Sequence, residues 1–348
     1  MNFIVTVQPS GRAFEVQRDE PVLTAAIRQG VGLPYGCRDG ACGSCKSQLV
    51  VGRVIHGAHQ HKALSEAEEA AGLILTCCAT PQTDCTVLAR SVPGAGEFAV
   101  IRMPSRVISI ARPSADVAVL RMQLPANQRF QYHAGQYLEF ILAGGVRRSY
   151  SMANAPGRLG QPPAIELHIR HLPGGVFTDT VFSTLKEKDI LRLEGPFGSF
   201  FLRNEPRDRA RPMILLASGT GFAPIKALIE QLQDLGQQRP ATLYWGCRSR
   251  ADLYLHDWAL KAAADHPWLR YTPVLSEPDA SDAWTGRIGL VHQAVMADWP
   301  DLSGHQVYAC GAPVMVQSAQ RDLVQRCGLP ADDFLADAFT SEADKHGG

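Results

Sequence analysis

With 348 residues the chain is too long for one ordinary core and has room for two or three domains. Lys+Arg and Asp+Glu balance at 34 each, so the basic excess that non-specific nucleic-acid or anionic-membrane binding needs is missing, and no apolar run approaches the roughly 20 residues of a membrane helix. Nine cysteines, an odd number with six of them before residue 86, fit a reducing cytoplasm better than a secreted disulfide framework.

The chain opens on two alternating stretches, FIVTV and AFEVQ, joined by Pro9-Ser10-Gly11, which predicts a hairpin. This start lacks the basic-then-apolar order of a signal peptide. EPVLTAAIRQG follows with helical spacing at Val22, Ala25 and Ala26 and a closing Gly30. In GCRDGACGSCK, Cys37, Cys42 and Cys45 stand with four and then two residues between them. Grouped thiols can serve zinc, a redox disulfide or an iron–sulfur cluster. Zinc sites usually pair two C-x-x-C knuckles, and only Cys42 and Cys45 have that spacing here. The C-x4-C-x2-C run is instead the plant-type [2Fe–2S] spacing, which needs a distant fourth cysteine. LILTCCATP offers Cys77 and Cys78. Read as a strand, it points the two to opposite faces, so one alone reaches the cluster. Gly36, Gly40 and Gly43 let the backbone turn tightly and aim N–H groups at the sulfurs. Cys85 reads as a small buried hydrophobe. His56, His59 and His61 in HGAHQH read as a solvated polar loop. SVPGAGEF, with Pro93, Gly94 and Gly96, reads as a linker.

From about residue 98 to 205 short strands follow one another: SRVISIAR, VAVLRMQL, QYLEFIL, IELHIRH and ILRLEGP. Turn residues between them predict a small antiparallel barrel. From about 211 the rhythm becomes strand, helix, strand. MILLAS, ATLYWGC, RYTPVL and HQVYACG alternate with helical stretches, which predicts a parallel sheet covered on both faces. Between MILLAS and the helix PIKALIEQLQDLG lie Gly219-Thr220-Gly221, with Pro224 in the first helical turn, and such a bare helix N-terminus favours an anion. The loop is not a G-x-G-x-x-G, and no acidic residue stands at its usual place. On its own, Cys310 in YACGAPVMV reads as buried filler.

Residues 1–90, with Leu75-Thr76-Cys77-Cys78-Ala79 in the position of a ferredoxin's L-T-C-x-A, resemble a plant-type ferredoxin domain. The resemblance implies a β-grasp fold and a [2Fe–2S] cluster on Cys37, Cys42, Cys45 and Cys77. RRSYSMAN resembles the R-x-Y-S flavin string of ferredoxin reductase-like proteins. It implies that Arg148 pairs with an FAD phosphate, Tyr150 packs on the flavin ring and Ser151 hydrogen-bonds its reactive edge. HLPGGVFTDTVF follows at the family's distance and implies that Gly174, Gly175, Val176 and Thr178 open a pyrophosphate-binding helix. Gly195, Pro196 and Gly198 in LEGPFGSF resemble the turn that closes the barrel. GTGFAP and CGAP resemble the family's nicotinamide strings, which implies that Gly219, Thr220, Gly221 and Pro224 bind the dinucleotide, with Cys310, Gly311 and Pro313 beside the nicotinamide. FLADAFT resembles a family C-terminus and implies that Phe339 stacks on the flavin.

The chain is thus expected to be multidomain, α+β and then α/β: a ferredoxin domain over 1–93, an FAD-binding antiparallel β-barrel over 98–205 and a nucleotide-binding parallel sheet over 210–340. The order resembles the reductases of benzoate-type dioxygenases and of phenol and methane hydroxylases. It looks closer still to CDP-6-deoxy-glucoseen reductases. The resemblance implies an enzyme that takes hydride from NADH to FAD and passes single electrons through the cluster to a separate oxygenase or dehydratase component. Arg248 and Arg250 in YWGCRSRADLY stand where the adenosine ribose should lie and keep NADPH open as the donor. Ser151, Cys310 and Phe339 are the residues expected nearest the chemistry. The alternatives are a stand-alone reductase of a quinone, free flavin or ferric iron, and a redox sensor without turnover.

Overall fold

The computed structural model describes residues 2–90, 92–206, 208–236 and 238–340. The chain divides into two compact units. One comprises the residues up to Val100 with Phe197–Phe200; the other comprises Ile101–Pro196 with Phe201–Phe339.

In the first unit β1 (Phe3–Gln8) and β2 (Arg12–Val16) form the expected hairpin, with Val5 opposite Phe14. Helix α1 (Val22–Arg28) lays Val22, Leu23, Ala25 and Ala26 on the sheet. There follow β3 (Lys46–Val51), β4 (Val54–His56), α2 (Glu66–Ala70), β5 (Leu73–Leu75), β6 (Ala79–Pro81) and β7 (Cys85–Leu88). The sheet order is β2-β1-β7-β3-β5, with β1 and β7 parallel, which is the β-grasp arrangement. Ser65 and Glu68 cap α2 reciprocally, a box legible as S-x-x-E.

Residues 92–97 of the stretch read as a linker are held in place. Val92 is buried, and the turn Ala95 N–H to Val92 O is closed at 3.0 Å. A Cβ on Gly32 would lie 2.8 Å from the Val92 carbonyl, and one on Gly96 would lie 2.8 Å from the Gly30 carbonyl carbon. The glycines there serve close backbone packing against the end of α1. The Phe197–Phe200 segment belongs to the same unit: Ser199 Oγ accepts from Tyr35 N–H at 2.9 Å and donates to Tyr35 O at 2.8 Å.

The second unit begins with β8 (Ile101–Ser114), β9 (Val117–Gln123), β10 (Tyr137–Ile141), β11 (Arg147–Ser151), β12 (Ala164–Arg170), α3 (Val176–Ser183) and β13 (Ile190–Phe197). The sheet runs β11-β10-β13-β8-β9-β12, and a Met152–Leu167 bridge joins its two ends into a barrel-like ring. Inward residues such as Leu120, Met122, Leu138, Phe140, Leu167 and Leu193 fill it, and Phe177 of α3 adds to the same core.

Then come β14 (Met213–Ser218), α4 (Phe222–Asp234), β15 (Ala241–Cys247), α5 (His256–Asp265), β16 (Leu269–Leu275), β17 (Arg287–Ile288), α6 (Val291–Asp298), β18 (Gln306–Gly311), α7 (Pro313–Arg326) and β19 (Phe334–Ala338). The strands pair in parallel in the order β17-β16-β15-β14-β18-β19. Every residue of β15 and β18 is buried, as expected for a parallel sheet sheltered on both faces. Among the described residues, no helix is long and apolar enough to cross a membrane.

Candidate functional site

The candidate site residues fall into two groups, one in each unit. In the first unit the tight turn before β3 brings the cysteines together. The Cys37 N–H donates to Cys42 Sγ and the Cys42 N–H to Cys37 Sγ, both at 3.3 Å, and the Ser44 N–H reaches Cys42 Sγ at 3.5 Å. Cys45 Sγ lies 3.3 Å from Cys77 Sγ. Hydrogen bonds from the Cys42 and Cys77 thiols hold the Cys37 thiol well below its ordinary range. All nine cysteines are free. Four soft sulfurs, those of Cys37 and Cys42 met by backbone N–H donors, are the donor set that a [2Fe–2S] cluster takes, so the residues fit it.

Cys77 and Cys78 lie in the turn between β5 and β6, not on a strand, and their sulfurs are 3.6 Å apart. Strand alternation therefore does not separate them. Burial and neighbours do: Cys77 is buried among Cys37, Cys45 and Cys78, whereas Cys78 is partly exposed and faces Gly40, where a Cβ would lie 2.8 Å from its sulfur. His56 also departs from the loop reading. It ends β4, half-buried, with Nδ1 2.6 Å from Glu69 of α2, and its ring meets His59 edge-on at 5.7 Å.

In the second unit β11 presents Arg148, Tyr150 and Ser151. Arg148 donates to the Arg147 carbonyl at 2.8 Å. The Tyr150 ring packs against the Phe140–Phe177 pair, at 6.0 and 5.4 Å, and burial pushes its phenol up. Gly175 caps α3 as the spacing predicts. The N–H groups of Gly174 and Gly175 are not free, however. The first donates to Asp179 at 3.0 Å and the second to Leu172 O at 2.8 Å, while the Thr178 hydroxyl donates to Leu172 O. An anion at this helix end is therefore left to the amides of its first turn, beginning with Val176.

Gly219–Gly221 form a tight 3-10 turn, and α4 begins at Phe222, so Pro224 is its third residue. The Gly219 carbonyl accepts from Trp245 Nε1 at 3.0 Å, and Trp245 stacks on Phe222 at 3.9 Å. The two nicotinamide strings touch: a Cβ on Gly221 would overlap the Cys310 carbonyl oxygen, with the carbonyl carbon 2.5 Å away and Gly311 Cα 2.7 Å away. That backbone cradle fits a dinucleotide that must approach main chain closely.

Cys310 is fully buried, and burial, then the Asp337 charge, push its thiol well up, so it remains a neutral thiol. Asp337 pairs with Cys310 in the β18–β19 register, and its carboxylate accepts from Ser151 Oγ at 3.4 Å. Phe339 N–H donates to Gly311 O at 2.8 Å and its side chain is half-buried. Ser151, Cys310 and Phe339 thus gather near one carboxylate. Two residues of this site went unmarked in the linear reading. Asp337 lies within FLADAFT, and nothing in that string marks it. Arg170, at the end of β12, places Nη1 2.9 Å from where a Gly219 Cβ would be and is held by Asp116 at 2.7 Å. Arg248 is largely exposed, while Arg250 donates to Asp282 O at 3.2 Å.

Three family models match this chain: a 2Fe-2S iron-sulfur cluster binding domain over 5–82, an oxidoreductase FAD-binding domain over 104–202 and an oxidoreductase NAD-binding domain over 215–321. The CDP-6-deoxy-L-threo-D-glycero-4-hexulose-3-dehydrase reductase of Yersinia pseudotuberculosis is 40% identical over 97% of this chain and 99% of its own. Reductase component 2 of terephthalate 1,2-dioxygenase from Comamonas is 37% identical over 99% of this chain and 100% of its own. Among solved structures, the Amycolatopsis cytochrome P450 reductase GcoB is 33% identical, with a TM-score of 0.80 over 97% of this chain and 99% of its own.

Proposed function

Because the chain belongs to the family of oxidoreductases that join a 2Fe-2S domain, an FAD-binding domain and an NAD-binding domain in one polypeptide, we propose that it is a cytoplasmic NADH-dependent reductase that delivers single electrons to a separate protein, an oxygenase component or a deoxysugar dehydratase. The modules work over 1–93, 98–205 and 210–340. The observation that carries the reading is the pairing, in one chain, of four convergent thiols with a Ser151–Asp337 contact beside the Gly221–Cys310 cradle. FAD supplies two-electron exchange with nicotinamide, and a [2Fe–2S] cluster supplies one-electron carriage.

The chain's own residues bind, orient and shelter. Cys37, Cys42, Cys45 and Cys77 hold the cluster. Arg148 neutralises FAD phosphate, and the amides from Val176 to Thr178, beside the Gly174-Gly175 turn, face the pyrophosphate. Tyr150 flanks the flavin ring. Ser151 is held by Asp337 so that its hydroxyl is oriented for a hydrogen bond at the reacting edge. Gly219, Thr220, Gly221 and Pro224 seat the dinucleotide. Neutral Cys310 and Gly311 would line the nicotinamide side, and Phe339 would shelter the flavin ring there. NADH is favoured because both guanidiniums near the ribose already have acidic neighbours, Arg250 on the Asp282 carbonyl and Arg248 4.0 Å from the Asp252 carboxylate, whose charge disfavours a 2′-phosphate. The cytoplasmic setting is supported by nine free thiols.

Purified protein should contain two irons, acid-labile sulfide and one FAD, and NADH should exceed NADPH in kcat/KM by roughly tenfold, about 1.4 kcal/mol. Zinc without sulfide, or a flavin that NADH does not reduce, would sink the reading. Arg148→Ala should weaken FAD binding by about 1.5–3 kcal/mol, the worth of a charge-assisted contact. Unchanged flavin retention on dialysis would remove Arg148 from this role.

A further inference from the structure

Helix α4 carries a lysine on a face where an apolar residue would pack. Lys226 follows Gly221 by five residues, and 7% of its side chain is exposed. Its Nζ donates to Glu230 Oε1 at 2.6 Å and to the Ala153 carbonyl at 3.1 Å, and it lies 3.2 Å from Glu166 Oε1. Glu230, equally buried, uses Oε2 to accept the Ala155 N–H at 2.9 Å. Glu166, on β12, is met by His168 Nε2 at 3.0 Å, and His168 Nδ1 faces the Tyr254 hydroxyl at 2.8 Å. Burial lowers the His168 imidazole, which stays neutral. Burial also raises the Glu166 carboxyl, but the His168 bond and the Lys226 charge outweigh it and hold it at about 2, so the lysine faces charged carboxylate.

Desolvating such a cluster costs about as much as its attractions return, and apolar side chains of the same volume would stabilise the packing as well. What the charged pair adds is direction, because Lys226 ends on the Ala153 carbonyl and Glu230 on the Ala155 N–H, while the two hold each other in place. That segment leaves Ser151 after one residue. The helix that holds it leaves Gly221 directly.

We propose that Lys226 and Glu230 are positioning residues for hydride transfer, locking segment 153–155, and with it Ser151, to the helix that begins at the Gly219–Gly221 loop. This rests on the reading of 148–151 as the flavin strand and 219–221 as the nicotinamide loop. Hydride moves only across a short aligned approach, and a misplacement of about 1 Å costs on the order of 100-fold. A clamp only two residues from Ser151 and five from Gly221 fixes that approach without touching either cofactor.

The test uses full-length, FAD-loaded wild type, Lys226→Met, Glu230→Gln and Glu166→Gln in stopped-flow reduction at saturating NADH, with amide hydrogen exchange over residues 152–158. Lys226→Met and Glu230→Gln should lower the limiting rate of flavin reduction by roughly 10- to 100-fold, while the apparent Kd for NADH stays within about threefold. Exchange over 152–158 should accelerate while that of β8 and β9 is unchanged. Glu166→Gln, isosteric and one bond further out, should show a smaller loss in the same direction. If Lys226→Met fails to fold, the two glutamine variants decide the matter. Limiting rates equal to wild type in the flavin-loaded variants would overturn the proposal, as would flavin loss with no change of rate in the molecules that keep FAD. Wild-type flavin that NADH does not reduce would sink the underlying reading instead, and the proposal with it.

Discussion

Gly221→Ala should cost the nucleotide module on the order of 3 kcal/mol, the upper end for overpacking, and lower its melting temperature by roughly 6–12 °C. The added methyl has no side-chain tip to push aside. It meets the backbone of Cys310 and Gly311, and the Gly311 position is itself constrained, with φ at +136° and Ser218 O 2.6 Å from where its own Cβ would be. Relief requires β14 and β18 to part, yet they are paired from Met213–Gln306 through Ala217–Cys310. NADH-driven flavin reduction should fall with stability, since the loops that separate are those proposed to seat the dinucleotide. A calorimetric midpoint within about 2 °C of wild type would mean that the cradle is looser than its geometry indicates.

The second large effect is expected at the fourth sulfur. Cys77→Ser should leave protein with little or no cluster and no electron delivery to a protein acceptor, while NADH still reduces its flavin. Cys78→Ser should keep visible absorbance and the EPR signal of the reduced protein. The reason is placement: Cys77 Sγ stands 3.3 Å from Cys45 and is bonded to the Cys37 thiol, whereas Cys78 Sγ is 3.6 Å from Cys77 on the side of Gly40 and His59. A cluster that survives Cys77→Ser and vanishes with Cys78→Ser would reverse the assignment.

Much of this was legible in the linear sequence because it is written in local chemistry. Hairpin alternation in FIVTV and AFEVQ, the helical spacing of Val22, Ala25 and Ala26, and the strand–helix rhythm after residue 211 each depend on neighbours within a few positions. Gly219 and Gly221 were legible as a loop, although the reason for glycine at 221 and 311, contact between two strings about ninety residues apart, is visible only in three dimensions. What was lost is long-range and polar. Asp337 becomes notable only when β19 sets it opposite Cys310 and within reach of Ser151. Lys226 looks like an ordinary surface lysine of an amphipathic helix until Ala153 and Glu166 close over it. Strand alternation does not choose between Cys77 and Cys78, because the chain turns at TCC and no local signal in those three letters marks the turn.

The docking of residues 92–97 on the end of α1 bears on recombination between relatives. A chimera that exchanges the N-terminal module has to inherit Val92 to Gly96 along with Gly30 and Gly32, because these backbones were shaped against one another. A crossover at Gly94, where the sequence punctuation invites one, would pair Gly30 and Gly32 with a foreign partner at 95–96, and at 96 any side chain beyond hydrogen would meet backbone within 3 Å. A crossover at the Val100–Ile101 boundary leaves that fit intact and transplants the module with its own clasp.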